Sequence, residues 1–329
     1  MRAQFVPILS LLISTFFLMA GAGLAGILLP VRGAIEGWSA YQIGFLGTAY
    51  AIAFTLGSVA VPRFVRRAGH VRAFASLAAL LAIAILLHAI LVHPIAWMLI
   101  RMITGFALAG SYMVIESWLN ERVTNETRGS IFSTYMIVSM GAMMSGQYLL
   151  PLTEPATTIA FMVCAIFFAA AVIPTAMSRQ ASPKPLTQVS LDLPALYRNS
   201  PAALAGVFVG GVTAGAWSNM APLFAERVGL STTQIATLLV ATMAGGVVAQ
   251  YPLGRLSDIV DRRLVLAGAA LAGALASTIA LMLGSADPVT LFVIGFSLGG
   301  VIYPTYSLSV AHANDFADAA DFVKVSGGL

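Results

Sequence analysis

Two ionisable side chains, Arg101 and Glu116, interrupt an otherwise apolar stretch between residues 95 and 118. Charge inside a membrane is expensive, and a carboxyl group held away from water there can take up and release a proton at physiological pH. Fifteen helical residues separate the two, about 22 Å at 1.5 Å per residue, so they cannot form one ion pair. Structural roles stand beside the functional ones. Glu116 lies toward the inner end of its span, within reach of loop arginines such as Arg63, Arg67 or Arg122, whereas Arg101 is close enough to the outer end to snorkel. The other polar residues at mid-depth are neutral: Thr15, Tyr50, Tyr112, Gln147, Asn219, Thr242 and Tyr303, with Trp217 as an aromatic wall. Together they are expected to line a cavity without fixed charge, which favours a neutral or lipophilic solute. His70, His88, His93 and His312 are scattered, so neither a metal site nor a Ser/His/Asp arrangement is expected, and no cofactor.

The elements that must position these residues follow from composition. Of 329 residues, 59% are hydrophobic and 9% charged, which excludes a water-soluble globule. Apolar windows fall near 6–30, 42–61, 73–92, 95–118, 130–152, 157–177, 202–224, 234–253, 264–284 and 288–310, each long enough to span as a helix. They are too long for barrel strands and lack their alternation. With the N-terminus in the cytoplasm, fourteen basic residues, among them Arg2, Arg63, Arg66, Arg67 and Lys184, lie inside, and only Arg32 and Arg227 lie outside. That asymmetry is an orientation signal and not a nucleic-acid footprint. Cys164, the single cysteine, excludes a disulfide framework.

The chain repeats. An offset of 192 pairs Pro30 with Pro222, Gly37 with Gly229, Ser39 with Ser231, Gln42 with Gln234 and Arg63 with Arg255. Six spans separate the copies, so both enter the membrane in the same direction, as in transporters built from two parallel six-helix halves. The reading is an all-α integral membrane protein with a six-helix bundle over 1–177, a cytoplasmic linker over 178–200 and a second bundle over 201–329. By the same offset the second bundle holds four spans and the start of a fifth, so a twelve-span protein lacking its end is expected. Gly21-Ala22-Gly23-Leu24-Ala25-Gly26 matches a dinucleotide-binding pattern, but it lies in a span with no strand before it and is assigned to helix packing, as are Gly206/Gly210, Gly211/Gly215 and Gly295/Gly299.

At the inner end of the eighth span stands Gly254-Arg255-Leu256-Ser257-Asp258-Ile259-Val260-Asp261-Arg262-Arg263. It resembles the loop signature of the major facilitator superfamily, with Asp261 at the second glycine position. The first-half counterpart keeps Arg63, Arg67 and Gly69 but carries Arg66 at the aspartate position. Arg101 to Gly105 is similar to the family's second signature, whereas its antiporter Gly-Pro pair is missing, since Gln147 follows Gly146. Glu116 to Glu121 and Gln250 to Gly254 resemble a bacterial subgroup of unassigned substrate. The resemblance implies alternating access between two bundles, with the loop residues gating the cytoplasmic side. If Arg66 reverses the sign of that latch, Asp315, Asp318 and Asp321 are its expected partners.

The function expected is secondary transport of a small solute across the cytoplasmic membrane, with Glu116 and Arg101 as candidates for proton coupling or gating. Its partners are the lipid bilayer, a small-molecule substrate and protons, with no nucleic acid, and the protein is expected to be a monomer. A non-transporting assembly protein and, less favoured, a membrane-embedded enzyme are the alternatives. No phosphate-cradling Gly-x-x-x-x-Gly-Lys-Ser/Thr loop is present.

Overall fold

The computed structural model describes residues 8–122, 127–177, 197–198, 200–283 and 287–315, and among these every long element is a helix. In chain order they are α1 (Leu9–Ile35), α2 (Ala40–Ala68), α3 (His70–Ile90), α4 (Pro94–Arg122), α5 (Arg128–Gln147), α6 (Ile159–Ala176), α7 (Pro201–Arg227), α8 (Thr232–Ile259), α9 (Arg262–Leu283) and α10 (Pro288–Asn314). Each expected span has its helix. Nine of the ten are long and apolar enough to cross a membrane; the exception is the polar, methionine-rich α5. The expected fifth window ran to 152, but the helix stops at Gln147 and a separate 3-10 turn, Leu150–Leu152, follows around Pro151. Proline lacks the N–H that a continuing helix needs. Conversely, α1 and α2 run through Pro30 and Pro62 into polar last turns that hydropathy does not register.

The repeat is visible in local geometry. Ser39 and Ser231 each accept from the backbone N–H of the glutamine three residues on, and each glutamine side chain accepts from the serine N–H in return. These capping boxes start α2 and α8. The preceding turns pass through Gly37 and Gly229 at φ 75° and 83°, a region disfavoured for side chains with a Cβ. After the third helix the register slips, because Pro94 and Pro288 both begin a fourth helix, an offset of 194.

The chain falls into two compact units, Met1–Thr187 with Pro222–Arg227, and Gln188–Ala221 with Val228–Leu329. The expected linker, 178–200, lies outside the described residues except for 197–198 and 200, and so does the expected start of an eleventh helix. In the first unit α1 packs on α5 and α6, α2 on α4, and α3 on α4 and α6. A Cβ at Gly23 would meet the Met143 carbonyl, and one at Gly146 the Ala20 carbonyl, so α1 and α5 touch backbone to backbone. Gly21 abuts Phe168, so Gly21 and Gly23 of that glycine-rich stretch serve helix packing, whereas Gly26 has open space where a Cβ would sit. In the second unit α10 packs on α8 and α9. Gly245 of α8 fits against the Phe296 carbonyl, Gly299 of α10 against that of Thr242, and Gly206 of α7 against the Ser309 hydroxyl, but Gly211 and Gly215 face open space.

Candidate functional site

Arg101, Gly105, Leu108, Tyr112 and Glu116 follow one another at spacings of four, three, four and four, which places them on one face of α4. The start of that helix is held by an aromatic cluster. Trp97 is fully buried, its ring 4.7 Å from Trp38, 5.0 Å from His88 and 6.0 Å from Phe161, and its Nε1–H donates to the His88 carbonyl at 3.0 Å. Two turns further along, Gly105 lets α4 lie against the Tyr50 carbonyl of α2. This close crossing brings the Arg101 guanidinium over the Tyr50 ring, its Cζ 4.3 Å from the centroid. Arg101 folds onto an aromatic face there, a cation–π contact. Its Nε is buried without a hydrogen-bond partner.

A chain of rings leads inward from that point. Tyr50 and Phe54 are 5.7 Å apart and Phe54 and Tyr112 are 6.3 Å apart, and the Tyr112 hydroxyl donates to Sδ of the buried Met19 at 2.9 Å. At the inner end the hydroxyl of buried Tyr135, on α5, donates to Glu116 Oε1 at 3.3 Å. Glu116 itself is exposed, and among the described residues it forms no ion pair; its recorded partner is this phenol and not Arg63 or Arg67. The Arg122 side chain lies outside the described residues. Next to Glu116, Ser117 Oγ is hydrogen-bonded to His70 Nε2 at 3.2 Å, tying α4 to the start of α3.

Of the neutral candidates, Tyr50 and Tyr112 join this strip. Thr15 and Thr242 are buried and donate to carbonyls of their own helices, Leu11 and Leu238, and Asn219 donates to Gly215 in the same way. Gln147 is buried, Tyr303 covers Gly246, and Trp217 Nε1 is buried without a hydrogen-bond partner. Sequence reasoning passed over Phe54, Met19 and Tyr135. Phe54 sits one turn from Tyr50 and was within reach of helical spacing, but nothing local pairs Tyr135 with Glu116.

The loop signature forms a network inside the second unit. Arg262 Nη2 lies 3.3 Å from Asp258 Oδ1 and its Nε 2.8 Å from Asp315 Oδ2, and Nη1 reaches the Ser257 hydroxyl at 3.4 Å. Asp315, an expected partner of Arg66, is thus engaged by Arg262, while Asp318 and Asp321 lie outside the described residues. Asp261 accepts from the Arg263 backbone N–H at 2.9 Å and pairs with its side chain at 3.6 Å. At the matching first-half position Gly69 turns the chain at φ 81°. One half therefore begins its third helix with a glycine turn, the other with a side-chain cap. Arg255 reaches the Tyr251 hydroxyl at 3.4 Å, and Gly254 has open space where a Cβ would sit. Arg63, Arg66 and Arg67 are exposed and form no ion pair among the described residues of the first unit.

A cavity of about 530 Å³ between α8, α9 and α10 is lined by Leu253, Leu256, Val265, Ala269 and Val301, with Ser297 the one polar side chain. It has no convergent polar groups to orient a ligand. Among the described residues no cluster of His, Cys, Asp and Glu could hold a metal ion.

The family model described as Major Facilitator Superfamily matches residues 11–324. The chain is 24% identical over 302 residues to the uncharacterized MFS-type transporter YcaD of Escherichia fergusonii, covering 91% of this chain and 78% of that protein. An uncharacterized MFS-type transporter of Yersinia pestis is 25% identical over 340 residues, covering 100% of this chain and 85% of the relative. Among solved structures, the nucleoside transporter NupG superposes with a TM-score of 0.80 at 16% identity, over 98% of this chain and 85% of that one. A D-xylose–proton symporter does so at 0.68 and 14%, over 98% and 86%.

Proposed function

Because the chain belongs to the Major Facilitator Superfamily, we propose that it is a secondary active transporter of the cytoplasmic membrane, moving a small organic solute by alternating access with Glu116 as its proton-binding group. The observation that carries this reading is the bond from Tyr135 to Glu116 on the face of α4 that also presents Tyr112 and Arg101. A carboxylate bonded to a phenol can change its protonation without breaking an ion pair, which suits cyclic proton transfer. The aromatic wall of Tyr50, Phe54 and Tyr112 suits a solute with a neutral or lipophilic body. A cytoplasmic N-terminus is part of the proposal and rests on the fourteen-to-two distribution of basic residues; a monomer is the expected state. An enzyme would need ionisable groups converging at one depth, and Arg101 and Glu116 lie about 22 Å apart along α4.

The test is proteoliposome uptake under an imposed pH gradient, screened over a solute panel. Gradient-driven accumulation is expected, and Glu116→Gln should abolish it while solute exchange persists. Unchanged accumulation in that variant would remove the proton role, and a shifted exchange rate with intact coupling would make Glu116 a gate contact.

A further inference from the structure

We infer that the Arg101 guanidinium is a subsite for a carboxylate group, carried at one end of a solute whose apolar body lies along Tyr50, Phe54 and Tyr112. The inference rests on the transport reading for its context and on the geometry of Arg101 for its content. Other guanidiniums of the first unit that are drawn into the structure each have at least one hydrogen-bond acceptor. Arg32 pairs with Glu36 at 2.7 Å and donates to the carbonyls of Pro155, Ala156 and Thr157, and Arg227 donates to the Trp38 carbonyl at 3.2 Å. Arg101 has none of this. It forms no salt bridge and donates no hydrogen bond among the described residues, and its Nε is buried.

Its contact with Tyr50 uses the π surface of a ring, which leaves the fork of N–H donors free for a planar bidentate acceptor. A lone carboxylate fits that fork. A phosphate dianion would call for a second cation, and the α4 strip has none: its other members are Tyr50, Phe54, Tyr112, Met19, Tyr135 and Glu116. Glu116 is about 22 Å away along the helix, well outside contact with an anion held at Arg101. The aromatic rings between them present faces and edges to an apolar body while the Tyr112 hydroxyl points to Met19. In the second unit the place of Arg101 is taken by Gly295, packed against Leu238 and Thr242, so the subsite belongs to the first half alone.

The experiment is equilibrium dialysis of the purified chain in detergent with radiolabelled benzoate, competed by unlabelled benzoate, acetate and benzamide, the neutral isostere. Saturable millimolar benzoate binding is expected, with benzamide weaker by about tenfold or more, acetate competing as the bare headgroup, and Arg101→Gln losing about tenfold in affinity. Arg101→Lys, which keeps the charge and loses the fork, should fall between. Equal competition by benzamide, an unaltered Arg101→Gln, or no saturable benzoate binding would overturn the subsite. Should Arg101→Gln fail to fold, the benzoate–benzamide comparison on the unmodified chain and the Arg101→Lys value decide. Carboxylate binding without flux in proteoliposomes would end the transport reading alone; proton-driven flux without carboxylate binding would end the subsite alone.

Discussion

The fourth helices of the two halves, α4 and α10, begin at matching prolines and cross their second helices at matching carbonyls, with Gly105 on Tyr50 and Gly299 on Thr242. Beyond this shared crossing they diverge. Where α4 presents Arg101 over an aromatic ring, α10 has Gly295 packed against a threonine, and where α4 presents Glu116, α10 has Val310. At the inner ends the contrast reverses. Asp258, Arg262 and Asp315 form a connected network, while their counterparts Arg66, His70 and Glu121 put a cation, a histidine and an acid in the same three places. The same backbone crossing thus supports ionisable chemistry in one half and a charged brace at the helix ends in the other. Backbone contacts define the architecture, and the side chains around them are free to specialise.

The comparison is sharpened most by glycine. Gly23 and Gly215 are repeat equivalents, but only Gly23 lies against another backbone. Gly23→Ala should cost about 1–3 kcal/mol through overpacking, whereas Gly215→Ala should fall within about 0.5 kcal/mol of neutral. Thermal unfolding followed by tryptophan fluorescence in detergent measures both. Equal losses would mean that Gly215 is covered in the folded protein.

A smaller difference is expected at the inner ends. Arg262→Gln releases two carboxylates that are themselves largely exposed, so the loss should be about 1 kcal/mol or less and should shrink in high salt. Arg66→Gln, at a position with no ion pair in its own unit, should leave stability unchanged in the same unfolding assay. A large effect of Arg66→Gln would show that the first half has a brace of its own.

The smallest effect concerns how the fourth helices start. Asp287 caps α10, accepting from the Thr290 backbone N–H and hydroxyl at 2.9 Å each, and these bonds hold its carboxyl below the ordinary aspartate value. A depressed folded-state pKa contributes stability that is present above the ordinary value, near 3.8, and is lost as the pH falls through the folded value. The first half has His93 at the matching place. Asp287→Ala should therefore lower the melting temperature slightly near neutral pH and make no difference in strong acid, as a pH series of melting curves would report. A deficit that persists in strong acid would exclude the charged cap as its cause.

Much of the fold was legible because a bilayer imposes length and hydropathy on every crossing segment. The ten windows, the parallel repeat and the capping serines all follow from that constraint and from local turn chemistry. Helix ends were less legible: α2 continues through Arg66 and Arg67 because hydrogen bonding does not stop where apolarity does. Arg101 and Glu116 stood out as charges in an apolar stretch, whereas Thr15 and Thr242 looked equally available and proved to bond their own helices.

The sequence by itself determined which segments are apolar and long enough to span as helices, that the pattern recurs at an offset of 192, and which side chains are out of place in an apolar span. These are properties of one helix at a time, read from composition and period. Only the tertiary structure decided that Arg101 rests on Tyr50, that Tyr135 reaches Glu116, and that Arg262 gathers Asp258 and Asp315. Those partners come from different helices, or from helix ends brought together by packing. Their meeting depends on glycine-sized crossings and a two-residue slip in register, which no single segment encodes.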